Sequence, residues 1–499
     1  MYIFILKFIP SINTALRRKY FYSVLLFVFI CLKSVELEAG NEDIKLPLLG
    51  DSSSGIVSKQ QEYQLGRAWL KAFRSRVKEF NDPLMQDYFE NLIYNLATYS
   101  ELENPRLELI IVNNPTMNAF AVPGGIIGVH TGIFSYAENE DQMVSVLAHE
   151  LAHLSQRHFA RGLEAQRNSA TAGLAGLLAG LVLAATVGGD AGLAALSASQ
   201  ALTTQNQLRY SRSNEKEADR FGLRIMEASG RDPRAAAAMF SSMMKRLRYA
   251  GSRPPEFLLT HPITEKRIAD AKSRTLGNAM RYFPDNSDYY LMQARASVAT
   301  AKQINDSVAT FQGKLDQNVL QKDAALYGLV LSYIKLKQFQ QAEDILTMLL
   351  QKNPRHPVYN YTAIELEIAR KNYKTALNKV SQLMMRNPNS YPLLSLRAEA
   401  LWLDHQYEKA SQDLTVLARK REQDPTVWYR LAEVRGLAGD ISGVHQARAE
   451  YFMLVGAFSL AREQLVLALK LVNHDFKRSA IFRQRLRDIV KMEERAEKL

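Results

Sequence analysis

Apolar residues recur at helical spacing from residue 58 onward, first as Leu65, Trp69, Leu70 and Phe73, then as Leu84, Tyr88, Leu92 and Leu96. The pattern predicts two helices, over residues 58–81 and 83–99, split before Pro83 because a proline cannot continue a helix begun upstream. A short strand is predicted at Leu107–Val112, and Asn118 to Gly132 reads as strand, Gly124-Gly125 turn and strand, a hairpin. The helical period returns with Met143, Val144, Val146, Leu147, Leu151 and Leu154, so a mostly buried helix follows the hairpin. A second, more polar helix is predicted to open between Arg209 and Gly222.

From about residue 286 the pattern becomes helical throughout and repeats. Ala342, Ala376 and Ala410 are 34 residues apart, each preceded at three positions by an aromatic residue, Phe339, Tyr373 and Tyr407. Pro354 and Pro388 each follow their alanine by twelve residues, and Pro425 falls three positions late. A period of 34 with a small residue at the helix crossing is the mark of tetratricopeptide helix pairs, which bury their faces only by stacking. Residues 288–320 read as a degenerate first pair, Trp428 and Leu431 open a further unit, and Phe458-Ser-Leu-Ala461 marks another. Arg483 to Leu499 reads as a charged capping helix. Such an array offers a concave surface that holds a protein or peptide.

The buried helix after the hairpin carries the chemistry. His149 and His153, in the run His-Glu-Leu-Ala-His, are four residues apart and share one helix face, so both rings can reach one ion. Glu150 then lies beside that ion, placed to take a proton from water. A third protein ligand must come from further along, since the position six residues after His153 is Phe159 and His158 has the wrong spacing. Glu215 and Asp219 share a face of the second helix and Glu217 falls on another. Glu215 would complete a ligand set, with Asp219 orienting a ligand histidine or assisting proton transfer. Taken alone, these carboxylates fit a solvated acidic helix start equally well. His130, in the hairpin, reads as structural.

The combination of His149-Glu-Leu-Ala-His153, Ser211-Arg-Ser-Asn-Glu215-Lys-Glu-Ala-Asp219, the Asn118-Ala-Phe hairpin and Thr260-His261-Pro262 with Arg267 resembles the M48 family of zinc metallopeptidases. The resemblance covers residues 58 to about 275. It implies a mainly α, gluzincin-like protease domain with a small β-hairpin or sheet, over residues 58–285, ahead of the all-α tetratricopeptide superhelix at 286–499. One zinc ion per chain would be held by His149, His153 and Glu215, with Glu150 the catalytic base and Asp219 a supporting or proton-donating residue. His261 is expected to reach the site, either stabilising the oxyanion or filling the fourth zinc position and holding the enzyme latent.

Residues 1–39 read as an export signal, with a basic cluster Arg17-Arg18-Lys19, an apolar run from Tyr20 to Leu32 and a polar stretch to Ala39. Residues 40–57 read as a linker. Cys31, the single cysteine, lies in the signal, and a mature chain without cysteine suits an oxidising periplasm. With 47% apolar and 23% charged residues the chain is globular, not disordered. Its formal charge of +12 suits anionic membrane surfaces or acidic partners, and no nucleic-acid motif accompanies it. The uncharged run Ala170–Gly189 sits between helices that must meet at one ion. Residues 170–203 are therefore expected to form an apolar lid that dips at most peripherally into a membrane. An exported M48 protease with C-terminal repeats resembles the envelope members of the family in Gram-negative bacteria. That resemblance implies an endopeptidase that assists the assembly of outer-membrane proteins, degrades misfolded or stalled ones and contacts the barrel assembly machinery through its repeats. The competing reading is a scaffold or chaperone whose protease is latent.

Overall fold

Ser58 starts the first helix: its hydroxyl accepts from the Gln61 amide while its own N–H donates to Gln61 Oε1 at 2.8 Å, a capping box ahead of α1 (Lys59–Arg74). In this computed structural model the described residues are 57–104, 106–166, 212–249, 255–278, 281–316 and 319–497. The expected export signal, nearly all of the linker and the apolar segment 170–203 lie outside them. Helix α1 ends seven residues before the expected 81. The chain beyond it pairs with a strand instead, Glu79 bridging to Val112 and the Phe80 N–H donating to the Ile111 carbonyl at 2.7 Å. Strand pairing satisfies these backbone groups while Val77 and Phe80 pack on the core, so helical spacing alone overran the end. Asp82 then caps α2 (Pro83–Ala97), with Pro83 in the first turn, where its missing N–H costs nothing.

The sheet has three strands, β1 (Glu108–Val112), β2 (Ala119–Val122) and β3 (Ile126–His130), in the order β1-β3-β2. Strands β2 and β3 form the expected antiparallel hairpin, and β1 runs parallel to β3. Gly124 and Gly125 make the turn at φ of 82° and 81°, a region that residues with a Cβ avoid. Strand β2 is left at an edge. A 3-10 turn (Thr131–Ser135) leads to α3 (Glu140–Ser155), which Asn139 caps and whose residues from Met143 to His153 are all buried. After α4 (His158–Gln166) come α5 (Arg212–Ala228), α6 (Arg234–Tyr249), α7 (Glu256–Thr260) and α8 (Glu265–Arg274).

The remaining helices form six antiparallel pairs among the described residues: α9 (Ser287–Thr300) with α10 (Ile304–Gln312), α11 (Val319–Lys335) with α12 (Phe339–Lys352), and α13 (Pro357–Ala369) with α14 (Tyr373–Met384). They continue with α15 (Tyr391–Leu403) and α16 (Tyr407–Lys420), α17 (Pro425–Leu437) and α18 (Ile441–Leu454), and α19 (Phe458–Leu471) and α20 (Phe476–Glu497). The architecture is thus mainly α with a small sheet, as expected. Ala342, Ala376 and Ala410 are wholly buried at the crossings. Pro425 is in register after all: it occupies the first turn of its helix, as Pro357 does two periods earlier, whereas Pro354 and Pro388 belong to the preceding turns. The expected cap at 483–499 is, up to Glu497, the later part of α20, the second helix of the last pair.

One hydrophobic cluster runs from Leu84 through the sheet and α3 to Ala400 in the repeats. Tyr289 packs on Phe134 with ring centroids 5.6 Å apart and donates its hydroxyl to the Ala137 carbonyl. Farther round, Arg421 pairs with Glu90 of α2 at 2.7 and 3.0 Å. Lys71 of α1 lies 4.8 Å over the Phe458 ring and 3.8 Å from Met492 Sδ. The repeats therefore curl around the first part of the chain and touch it at their start, middle and end. Among the described residues no helix is long and apolar enough to cross a membrane.

Candidate metal centre

Helices α3 and α5 cross at Gly222, where a Cβ would stand 3.3 Å from the His149 backbone nitrogen. The missing side chain lets α5 approach closely enough to set Glu215 and Asp219 against the α3 histidines. His149 Nε2 and His153 Nε2 point at each other, 3.0 Å apart. Glu215 Oε2 is 3.5 Å from His149 Nε2, and its Oε1 is 3.4 Å from His153 Nε2. The loop after α7 brings in His261, whose Nδ1 is 3.0 Å from Glu215 Oε1 and 3.4 Å from His149 Nε2. The four side chains are buried, and one ligand atom from each lies within 4.8 Å of the others.

This set fits a small tetrahedral cation. Donors about 2.1 Å from such an ion stand roughly 3.4 Å from one another; five contacts here run from 3.0 to 3.5 Å, and one donor from each residue lies within 4.8 Å of the others. Charge agrees as well: the carboxylates of Glu150, Glu215 and Asp219 face one guanidinium, Arg267, in a buried space. A divalent cation would neutralise the excess. Glu150 is wholly buried and poorly paired, its near neighbours being His261 Nε2 at 3.5 Å and the Ala121 backbone N–H. A carboxylate left in that state is costly unless something further occupies the space before it.

Asp219 Oδ1 lies 3.1 Å from His149 Nδ1, the ring nitrogen turned away from the cluster. Arg267 grips both Asp219 oxygens at 2.7 Å, reaches Glu215 Oε2 at 2.9 Å and donates to the Pro262 carbonyl beside His261. Burial alone would raise the Glu215 pKa, yet His261 and the two α3 histidines hold it well below the carboxylate range. Burial would also lower His149, but Asp219 and Glu215 lift it to about 9. For His153 burial wins and its pKa falls well below the usual value. Burial likewise raises Glu150, against the pull of His261 and His149.

The candidate site residues His149, Glu150, His153, Glu215, Asp219 and His261 all lie at this centre, and His130 does not. That histidine is buried in β3 with its Nδ1 3.7 Å from Glu256. Two contacts escaped the sequence reading. His158 has the wrong spacing for a ligand, but it packs on His153, and Glu217, on its other face of α5, reaches His158. Helical spacing could not show this, because the chain turns sharply at Arg157 between α3 and α4. The reach of Arg267 was signalled only by its place in the motif set.

Beside the centre a cavity of about 250 Å³ runs along the edge strand and the hairpin turn, lined by Ala121, Gly124, Gly125, His153, Arg157 and Tyr63 among others. A larger one, of about 550 Å³, lies between α1 and the last repeats, with Trp428, Met453, Leu454 and Met492 on its wall. Tyr63 borders both.

The family model of peptidase family M48 matches residues 83–275. The chain is 31% identical to the β-barrel assembly-enhancing protease of Escherichia coli K12, over 90% of this chain and 92% of that protein. It is 36% identical to a putative protein of the same name from Vibrio cholerae, over 66% of this chain and 67% of the relative. A mitochondrial metalloendopeptidase of Saccharomyces cerevisiae is 32% identical over 49% of this chain and 70% of its own length.

Proposed function

Because the chain belongs to peptidase family M48, a family of metallopeptidases, we propose that it is a periplasmic zinc endopeptidase, exported by residues 1–39, that acts on outer-membrane β-barrel proteins during their assembly. The observation that carries the catalytic reading is the set of four buried donors with the wholly buried Glu150 carboxylate beside it. His149, His153 and Glu215 would hold the ion. A zinc ion in such a site supplies Lewis acidity, polarising a peptide carbonyl and acidifying water.

The chain's own groups do the rest. Glu150 takes the proton of the attacking water and returns it to the departing amine. Asp219 Oδ1, 3.1 Å from His149 Nδ1, would hold that ring with Nε2 turned inward, while Arg267 keeps Asp219 ionised. A substrate segment added to the open edge of β2 would lie in the cavity beside His153, with main-chain hydrogen bonds setting its direction. The groove of the repeats would hold a longer part of the same polypeptide, and Tyr63 marks where the two spaces meet. The same repeats are the surface offered to the barrel assembly machinery.

His261 takes the fourth corner of the donor set, so the centre as folded is closed, and substrate enters only once His261 withdraws. That closure favours a second reading, in which the chain acts mainly as a scaffold or chaperone with a latent protease. One variant tests both. Glu150→Gln is expected to retain about one zinc per chain while proteolysis of an unfolded barrel protein falls by at least 10²-fold. Undiminished proteolysis would overturn the assignment of the base. If the inactive protein supports barrel assembly as well as the parent does, the scaffold reading holds.

A further inference from the structure

The geometry points to His158 and Glu217 as positioning residues that fix which nitrogen of His153 carries its proton, and so present the Nε2 lone pair to the metal. The inference rests on the metal-site reading above and extends it to residues outside the ligand set.

His158 Nε2 lies 3.3 Å from Glu217 Oε2, and His158 Nδ1 lies 2.8 Å from His153 Nδ1. A carboxylate only accepts, so the proton of a neutral His158 sits on Nε2 and its Nδ1 becomes an acceptor. Two ring nitrogens 2.8 Å apart share one proton between them. With Nε2–H of His158 turned to Glu217, the geometry assigns that proton to His153 Nδ1. Its other nitrogen, Nε2, is then unprotonated, and it is the one that faces Glu215, His149 and His261. Asp219 Oδ1 stands in the corresponding place for His149, 3.1 Å from its Nδ1. His153 is served through an intervening imidazole, with Arg161 Nη1 holding Glu217 at 2.9 Å.

The backbone is bent to make this contact. Arg157 has φ of 49°, a left-handed conformation that residues other than glycine rarely adopt, and it ends α3 so that α4 can begin on His158. Its guanidinium is tied to Glu62 and to the Val57 carbonyl, which holds the turn. His158 itself is wholly buried. It is not a further ligand, since its Nδ1 meets the far side of the His153 ring and lies outside the donor cluster.

The test compares zinc affinity by chelator competition, and zinc release rate, in the full chain. His158→Leu keeps bulk but removes the acceptor, and is expected to weaken zinc by about 10- to 100-fold. His158→Asn puts an amide oxygen near the lost Nδ1 and is expected to stay within a few-fold of the parent. A merely structural role would not distinguish the two by the acceptor they carry. Parental affinity in His158→Leu overturns the inference, and so does an Asn variant as weak as Leu. Should His158→Leu not fold, the half-exposed end of the relay decides: Glu217→Ala is expected to speed zinc release severalfold, and an unchanged rate overturns the inference. A parent chain that bound no zinc, or a His149→Ala variant that kept it, would instead overturn the metal-site reading.

Discussion

Single residues around the centre are held in unusual protonation states, and one of them reports on folding. Glu256 accepts from the Asn118 amide at 3.3 Å and faces His130. Burial pushes its pKa up to about 7, and pushes His130 down to about 4. Between the ordinary carboxylate range and pH 7 the folded chain keeps a proton that the unfolded chain has released. The Glu256 contribution to stability therefore falls as pH rises through that window, by roughly 2 kcal/mol after allowance for screening by water, while the depressed pKa of His130 acts in the opposite sense between about 4 and the ordinary imidazole range and offsets much of it. Glu256→Gln should remove the Glu256 contribution and leave that of His130, with thermal stability near the parent's at pH 5 and above it at pH 8. Equal shifts at both values would contradict the assignment. At this scale the two histidines and Glu150 were legible in the sequence, because helix periodicity fixes which side chains share a face. Glu215 could be told from an ordinary acidic helix start only by its wider motif. His158 and Glu217 were not legible, since their contact depends on one left-handed residue.

Elements show where backbone geometry was readable and where it was not. Hairpin, buried α3 and the 34-residue period followed from side-chain pattern, whereas α1 was overrun because strand pairing competed with its period. The close crossing of α3 and α5 depends on an absent side chain. Gly222→Ala is expected to separate the helices by a few tenths of an ångström and to lower metal retention without abolishing folding. Zinc content after dialysis checks this, and full retention would show that the crossing has slack. In the repeats, left-handed residues recur at Lys337, Lys371, His405 and Gly439, each at the turn between the helices of a pair. Only the last is glycine. Lys371→Gly should relieve a conformational cost of about 1–2 kcal/mol, less the added freedom of the unfolded chain, for a net gain of about 0.5–1 kcal/mol in denaturant unfolding. A loss of stability would mean that the Lys371 side chain contributes more than its strain costs.

At the scale of the whole molecule the repeats are packed against the protease part as one body. The shared cluster from Leu84 to Ala400, the Tyr289 contact with Phe134 and the Arg421–Glu90 pair cross the change in sequence pattern near residue 286. Calorimetry should therefore show the described part unfolding in one transition. Arg421→Ala, which strands a partly buried Glu90, should lower stability by about 1–2 kcal/mol and reduce unfolding cooperativity. Two separate transitions in the parent would show that the parts fold independently. None of this wrapping was visible in the sequence, because contacts such as Lys71 with Met492 join residues whose local patterns say nothing of each other. Open solenoids lengthen or shorten freely at their ends. Here the first helix of the described chain leans on the last, so the far end of the array is tied to the body it packs against. Adding or deleting one 34-residue unit would move Phe458 and Met492 away from Lys71, and the first damage would appear at the α1 contact, on the protease side, before it appeared in binding.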